Sequence, residues 1–221
     1  MEGKTATVFG ATGLVGNLLL EELETSKAYS TIRIFVRQST GITNPGLEEI
    51  VTDFSDPPAL AGKVTGDDLF ICLGTTIRKA GSITNMEKID RDLPVMVAEM
   101  ARSNGATRIA VVSSIGASPL SKNYYLRIKG EMEEGIKKLG FEKTVIVRPS
   151  MLLGDRKELR AGEMVGKVFM KTVNPLLTGK MKKFRAIHGR DVARGMIALI
   201  QGEPGISIVE SDELQLIAKK Q

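Results

Sequence analysis

The sequence predicts an α/β protein built on a doubly wound, Rossmann-like parallel sheet, with a small C-terminal lobe facing the substrate. Three observations carry that prediction. Short apolar runs rich in strand formers alternate with segments whose apolar residues recur at helical spacing. The first run opens directly into three spaced glycines and then a helical pattern. The chain of 221 residues, 42% hydrophobic and 26% charged, suits one core better than two.

The chain is organised around Thr5 to Ser26. Ala6 to Phe9 is a strand that stops at Gly10, and from Leu14 the residues Leu14, Val15, Leu18, Leu19 and Leu23 line one face of a helix. Each glycine between them has a physical task. Gly10 permits the tight reversal, Gly13 lets main-chain N–H groups approach a diphosphate, and Gly16 lets the helix lie close to the strand. The open N–H groups at the helix start favour an anion.

The other strands follow in order. Ile32 to Val36 is the second, and Arg37, Gln38, Ser39 and Thr40 follow it, where an adenine ribose would lie. No carboxylate stands there to take the ribose hydroxyls of NAD, so Arg37 favours the 2′-phosphate of NADP, with NAD the less favoured cofactor. Leu47 to Val51 is the third strand, running to Thr52, Asp53 and Phe54; Asp53 suits either an adenine amino group or a helix cap before Pro57 and Pro58. Leu69 to Leu73 is a fully apolar fourth strand entering Gly74, Thr75 and Thr76.

A helical stripe of Ile89, Leu93, Val97 and Met100 spans Met86 to Asn104, with Pro94 set to kink it or start a segment. Arg108 to Ser113 is the fifth strand, with Ser113, Ser114 and Gly116 at its carboxyl end. Tyr125 and Lys129 share a helix face that continues through Met132, Ile136 and Leu139. Lys143 to Val147 is the sixth strand, closed by Arg148-Pro149.

Residues 150–221 are less regular and are expected as a lid or lobe within a single domain spanning 1–221. Gly162 to Val173 and Asp191 to Gln201 read as helices, Ile206 to Val209 as a strand and Asp212 to Lys219 as a closing helix. Asp191 is expected as a helix N-cap, and His188 as a loop or pocket-wall residue.

Composition narrows the function. One cysteine, Cys72, allows no internal disulfide, and with one histidine a zinc site has too few ligands, so no metal is expected. No run approaches membrane-spanning length and Met1 to Lys4 leads straight into the first strand, which points to a cytoplasmic protein without a membrane partner. The charge of +5 attracts anions. Lys167, Lys171, Lys180, Lys182, Lys183 and Arg185 lack a reading motif, so they read as a solvated face and nucleic acid is not expected.

Taken in order, GATGLVG at Gly10 to Gly16, TDF at Thr52 to Phe54, CLGTT at Cys72 to Thr76, VSSIGA at Val112 to Ala117, YLRIK at Tyr125 to Lys129 and RPSMLLGDR at Arg148 to Arg156 resemble the atypical short-chain dehydrogenases/reductases, nearest the branch named for its Tat-interacting member. The resemblance implies a hydride-transfer site for a small carbonyl substrate. Tyr125 is then the acid/base, Lys129 the cation that stabilises its phenolate and bonds the nicotinamide ribose, and Ser114 the hydroxyl that orients the carbonyl, with Ser113 its close rival. Asp90 stands where many relatives carry an asparagine. The expected cofactor-binding set is Gly10, Thr12, Gly13, Leu14, Val15, Gly16, Arg37, Asp53, Phe54, Leu73, Gly74, Thr75, Tyr125, Lys129 and Arg148. A non-catalytic, NADP(H)-binding regulatory, redox-sensing or assembly protein is the alternative. The oligomeric state is left open between monomer and homodimer.

Overall fold

A computed structural model of the chain describes residues 3–154 and 177–220. Of the first six strands, β1 (Lys4–Phe9), β2 (Tyr29–Val36), β4 (Asp68–Ile71), β5 (Arg108–Val112) and β6 (Lys143–Arg148) are mostly apolar and largely buried, so they need helices above and below, whereas β3 (Leu47–Val51) carries Glu48 and Glu49 and has no buried residue. A second ladder pairs the short β7 (Leu152–Leu153) with β8 (Ile187–His188), and β9 (Gly205–Glu210) follows. The main sheet has seven strands in the order β3-β2-β1-β4-β5-β6-β9. Every neighbouring pair is parallel.

The helices supply the two covers. On one face lie α1 (Leu14–Thr25), α7 (Gly189–Ile200) and α8 (Ser211–Ala218), which bring Leu19, Leu23, Met196, Ile200 and Leu214 onto Val8, Ile34 and Val145. The opposite face is covered by α2 (Pro57–Ala61), α5 (Leu93–Ser103) and α6 (Tyr124–Lys137), with Leu60, Val97, Met132 and Ile136 against Leu69, Ile109 and Ile146. Short α3 (Ile77–Ala80) and α4 (Ile83–Glu87) follow β4. No described helix is long and apolar enough to cross a membrane.

The C-terminal region departs from the expected lobe. Its strand is the seventh strand of the main sheet, and α7 packs beside α1 in the core. The reason is visible in β9: as an edge strand it leaves Ile206 and Ile208 57% and 40% exposed, so it lacks the buried signature of the five inner strands. The helix expected at Gly162 to Val173 lies outside the described residues.

The stripe from Met86 to Asn104 is likewise broken into α4, a π turn over Lys88–Asp92, and α5. Pro94 in the first turn of α5 has no N–H to give the Asp90 carbonyl four residues back, so the α ladder stops there and the π turn bridges the gap. Two cap assignments also change. Asp56, not Asp53, caps α2, its carboxylate accepting the Ala59 N–H at 3.2 Å. His188, not Asp191, caps α7, its Nδ1 accepting the Arg190 N–H at 3.2 Å while Asp191 supplies negative charge in the first turn.

Candidate cofactor and active site

The expected site residues converge because every strand of the main sheet points the same way. The β1–α1 turn carries Gly10 to Gly16, Arg37 follows β2, and Asp53 and Phe54 follow β3. Leu73 to Thr75 follow β4, Ser114 follows β5, and Arg148 ends β6. All therefore lie at the carboxyl edge, where open α/β sheets bind ligands.

The glycine turn keeps its three tasks apart. Gly10 has φ +84°, and a Cβ there would meet the Cys72 carbonyl oxygen at 2.6 Å. A Cβ on Gly16 would stand 2.1 Å from the Gly10 oxygen, so helix and turn touch backbone to backbone. Gly13 is extended and open: its Cβ would meet only the Gly10 oxygen at 3.2 Å and the Cys72 oxygen at 3.9 Å. Thr12 beside it is exposed, whereas Val15 is buried and the Leu14 side chain packs against Gly154 and Gly189. Leu14 and Val15 are thus available to a ligand through their backbone.

That backbone is unspent. The caps of α2, α3, α4, α6 and α7 are the side chains of Asp56, Thr76, Ser82, Asn123 and His188. In α1 there is no side-chain cap and no acidic residue in the first turn; the first bond of its ladder is Asn17 N–H to Gly13. The N–H groups of Leu14, Val15 and Gly16 face a Cβ-free cradle, and a diphosphate fits that donor set.

At the β2 and β3 ends the arrangement is mixed. Arg37 is exposed and makes no hydrogen bond or ion pair with the described residues. Asp53 is exposed, and its carboxylate accepts from the Ser55 backbone at 2.9 Å and the Ser55 hydroxyl at 2.6 Å, which holds it below the usual carboxylate range. Phe54 adopts φ +64°, a strained conformation for a non-glycine residue, and sets its ring 6.1 Å from Phe9, which itself stacks on Phe35. No sequence signal announces that strain.

The two serines of the β5 end are sorted by their partners. Buried Ser113 donates to Glu133 Oε1 at 2.5 Å, and Glu133 is clamped by Arg148 through Nε at 2.9 Å and Nη2 at 2.6 Å. Ser113 is thereby occupied within the chain, whereas the half-buried hydroxyl of Ser114 has only a marginal 3.5 Å contact with the Ile115 carbonyl. Arg148, expected at the cofactor, is spent on Glu133. Sequence reading missed Glu133, which is 1% exposed, because an acidic residue on a helix reads as solvated.

On α6 the two tyrosines differ in the same way. Tyr124 has Arg127 over its ring at 4.9 Å and a hydrogen bond to Glu87 that raises its phenol. Tyr125 is half-buried and makes no hydrogen bond with the described residues. One turn on, Lys129 is 2% exposed, with Nζ 3.0 Å from an oxygen of Asp90 and donating to the Leu73 carbonyl at 3.4 Å. Cys72 lies beside this cation, yet burial pushes its thiol up to about 12. Among the described residues no group of three or more His, Cys, Asp and Glu could hold a metal.

Comparison with known proteins gives the family and the fold. The chain is 39% identical over 162 residues, 73% of its own length and 70% of the relative's, to "Protein FMP52, mitochondrial" of Candida glabrata. It is 34% identical over 173 residues, 76% of its length and 71% of the relative's, to "Protein HTATIP2" of Rattus norvegicus. Its fold matches that of the Bordetella bronchiseptica enzyme WbmH in complex with NAD+, with a TM-score of 0.70 at 14% identity over 98% of this chain and 79% of the other. FMP52 relatives from several fungi are named mitochondrial, and this overturns the cytoplasmic expectation, which rested on the absence of a recognisable leader. A family model described as NAD(P)H-binding matches residues 10–203, from the first glycine of the turn to the end of α7 and just beyond. The chain belongs to that NAD(P)H-binding family, among the atypical short-chain dehydrogenases/reductases and in the company of FMP52 and HTATIP2.

Proposed function

We propose that the protein is an NADP(H)-dependent reductase of a small carbonyl substrate. The observation that carries this reading is the division of polar groups at the carboxyl edge: Ser113, Arg148 and Tyr124 are spent on internal partners, while Ser114, Tyr125, Arg37 and the N–H groups opening α1 are not. Uncommitted polar groups gathered at one edge await partners from outside the chain.

In this reading Leu14 to Gly16 hold the diphosphate, Arg37 the 2′-phosphate, and Asp53 and Phe54 border the adenine. The bound nicotinamide supplies the hydride. Ser114 donates to the carbonyl oxygen and orients it, and Tyr125 gives its phenolic proton to that oxygen as charge develops. Lys129, one turn along the same face, stabilises the phenolate left behind. No nucleic acid or metal takes part.

A second reading, an NADP(H)-binding regulatory protein without turnover, is favoured by one feature. Asp90 compensates the Lys129 charge that phenolate stabilisation would draw on. Calorimetry with NADPH followed by a panel of aldehydes, ketones and quinones separates the two. The reductase reading expects NADPH binding and a turnover that Tyr125→Phe lowers by about 10²- to 10⁴-fold. No binding at millimolar NADPH sinks both readings, and a rate untouched by Tyr125→Phe removes the phenol as the acid.

A further inference from the structure

Asp90 is fully buried at the centre of the π turn, where its carboxylate reaches two other elements. One oxygen accepts the Thr75 backbone N–H at 3.0 Å. The other lies 3.0 Å from Lys129 Nζ, an ion pair without hydrogen-bond alignment, and accepts no hydrogen bond. Lys129 is tied to the same corner by its contact with the Leu73 carbonyl. A Cβ on Gly74 would sit 3.5 Å from Asp90 Oδ1 and 4.0 Å from Lys129 Nζ, so the ion pair lies directly beneath the loop that follows β4. Buried ion pairs add little net stability over an apolar pair of equal size, because desolvation consumes most of their attraction. Stability alone therefore does not account for one at this place.

We propose that Asp90 is the positioning residue of the site: it fixes the Lys129 ammonium against the Leu73–Thr75 corner, so that α6 and the cofactor-facing loop keep one register. The proposal rests on the reading above, in which Lys129 faces the cofactor. With its charge set against Asp90 and one proton donated to the Leu73 carbonyl, the ammonium keeps a donor for a ligand, already placed before the ligand arrives. Without the carboxylate the buried ammonium has no counter-charge, turns from the corner, and that donor is lost.

The test is a double-mutant cycle read by NADPH calorimetry, with thermal melting to report the fold. Asp90→Asn and Lys129→Gln each weaken NADPH binding by at least about tenfold, and the double variant is no weaker than the weaker single, since the second change removes a partner already idle. Losses that multiply in the double variant, or an Asp90→Asn protein that binds NADPH as the wild type does, overturn the proposal. Should Asp90→Asn not fold, Asp90→Glu takes its place, keeping the charge one methylene out of position. It is expected to weaken NADPH beside Lys129 but not beside Lys129→Gln; equal weakening in both backgrounds overturns the proposal. The parent reading is judged on the wild type alone. A wild type that binds no NADPH removes both, whereas wild-type binding with a multiplicative cycle removes only the role of Asp90.

Discussion

Substituting alanine at Gly13 and at Gly16 separates a glycine that serves the fold from one that serves the ligand. At Gly16 the new Cβ would stand 2.1 Å from the Gly10 oxygen and 3.0 Å from Ala11 Cα, both backbone atoms held by the turn. Relief requires α1 to move off β1 by about an ångström, and forced overpacking of this kind costs about 3 kcal/mol. For a domain of this size that lowers Tm by roughly 6–12 °C.

At Gly13 the backbone, φ −81° and ψ 173°, is open to any residue, and the new Cβ would meet only the Gly10 oxygen at 3.2 Å. A few tenths of an ångström relieve that contact, so the cost is within about 1 kcal/mol and Tm falls by no more than roughly 4 °C. The methyl does, however, enter the cradle in front of the α1 N–H groups. Losing one hydrogen bond from a backbone N–H to a charged oxygen is worth about 1.5–3 kcal/mol, or about 10- to 150-fold in NADPH affinity. Thermal melting and NADPH calorimetry on the two purified variants are expected to give opposite signatures. A Gly13→Ala protein with wild-type NADPH affinity, or a Gly16→Ala protein with a wild-type melting curve, refutes the reasoning.

Three further outcomes are expected. Arg37→Ala weakens NADPH by about 10- to 150-fold, the loss of a charge-assisted bond to phosphate, and changes NADH by less than about twofold; equal losses for both cofactors in calorimetry would remove Arg37 from the 2′-phosphate. With the Cys72 thiol pushed up by burial, the half-buried side chain carries little thiolate at pH 8, so a disulfide reagent labels Cys72 more slowly in the folded protein than after unfolding, and equal rates would refute this. Glu22 is held below its ordinary value of 4.5: burial works against this, but the ion pairs with Arg194 and Arg190 outweigh it. A depressed carboxylate contributes stability above its unfolded value and loses it as pH falls through the folded one. The acid limb of the stability profile below about pH 4.5 therefore flattens in Glu22→Gln, and an unchanged limb by denaturant melts would show that the α1–α7 clamp contributes nothing there.

The five inner strands of the main sheet were legible because each is largely buried and so mostly apolar. Ile206 to Val209 also read as a strand, but its pairing with β6 in the main sheet was not legible, since an edge strand needs only its backbone to pair and its side chains are free to vary. The π turn was half legible: Pro94 marks the break in the α ladder, but nothing in the sequence says that the break turns Asp90 inward. The same limit explains Glu133 and the caps. An acidic residue on a helix, or a histidine before one, has a solvated reading by default, and only the position of a partner distant in sequence reverses it.

The partners decide more about this site than the motifs do. VSSIGA offers two serines and spacing alone leaves both as candidates, whereas the four-residue step to Lys129 picks Tyr125 over its neighbour Tyr124. Glu133, a residue that no motif contains, takes Ser113, and Glu87 with Arg127 takes Tyr124. Glu133 in turn needs Arg148, because a buried carboxylate without a cation would cost several kcal/mol. Hence the arginine expected at the cofactor also has a task inside the chain: by holding Glu133 it keeps Ser113 occupied and leaves the Ser114 hydroxyl the less engaged of the two at the end of β5.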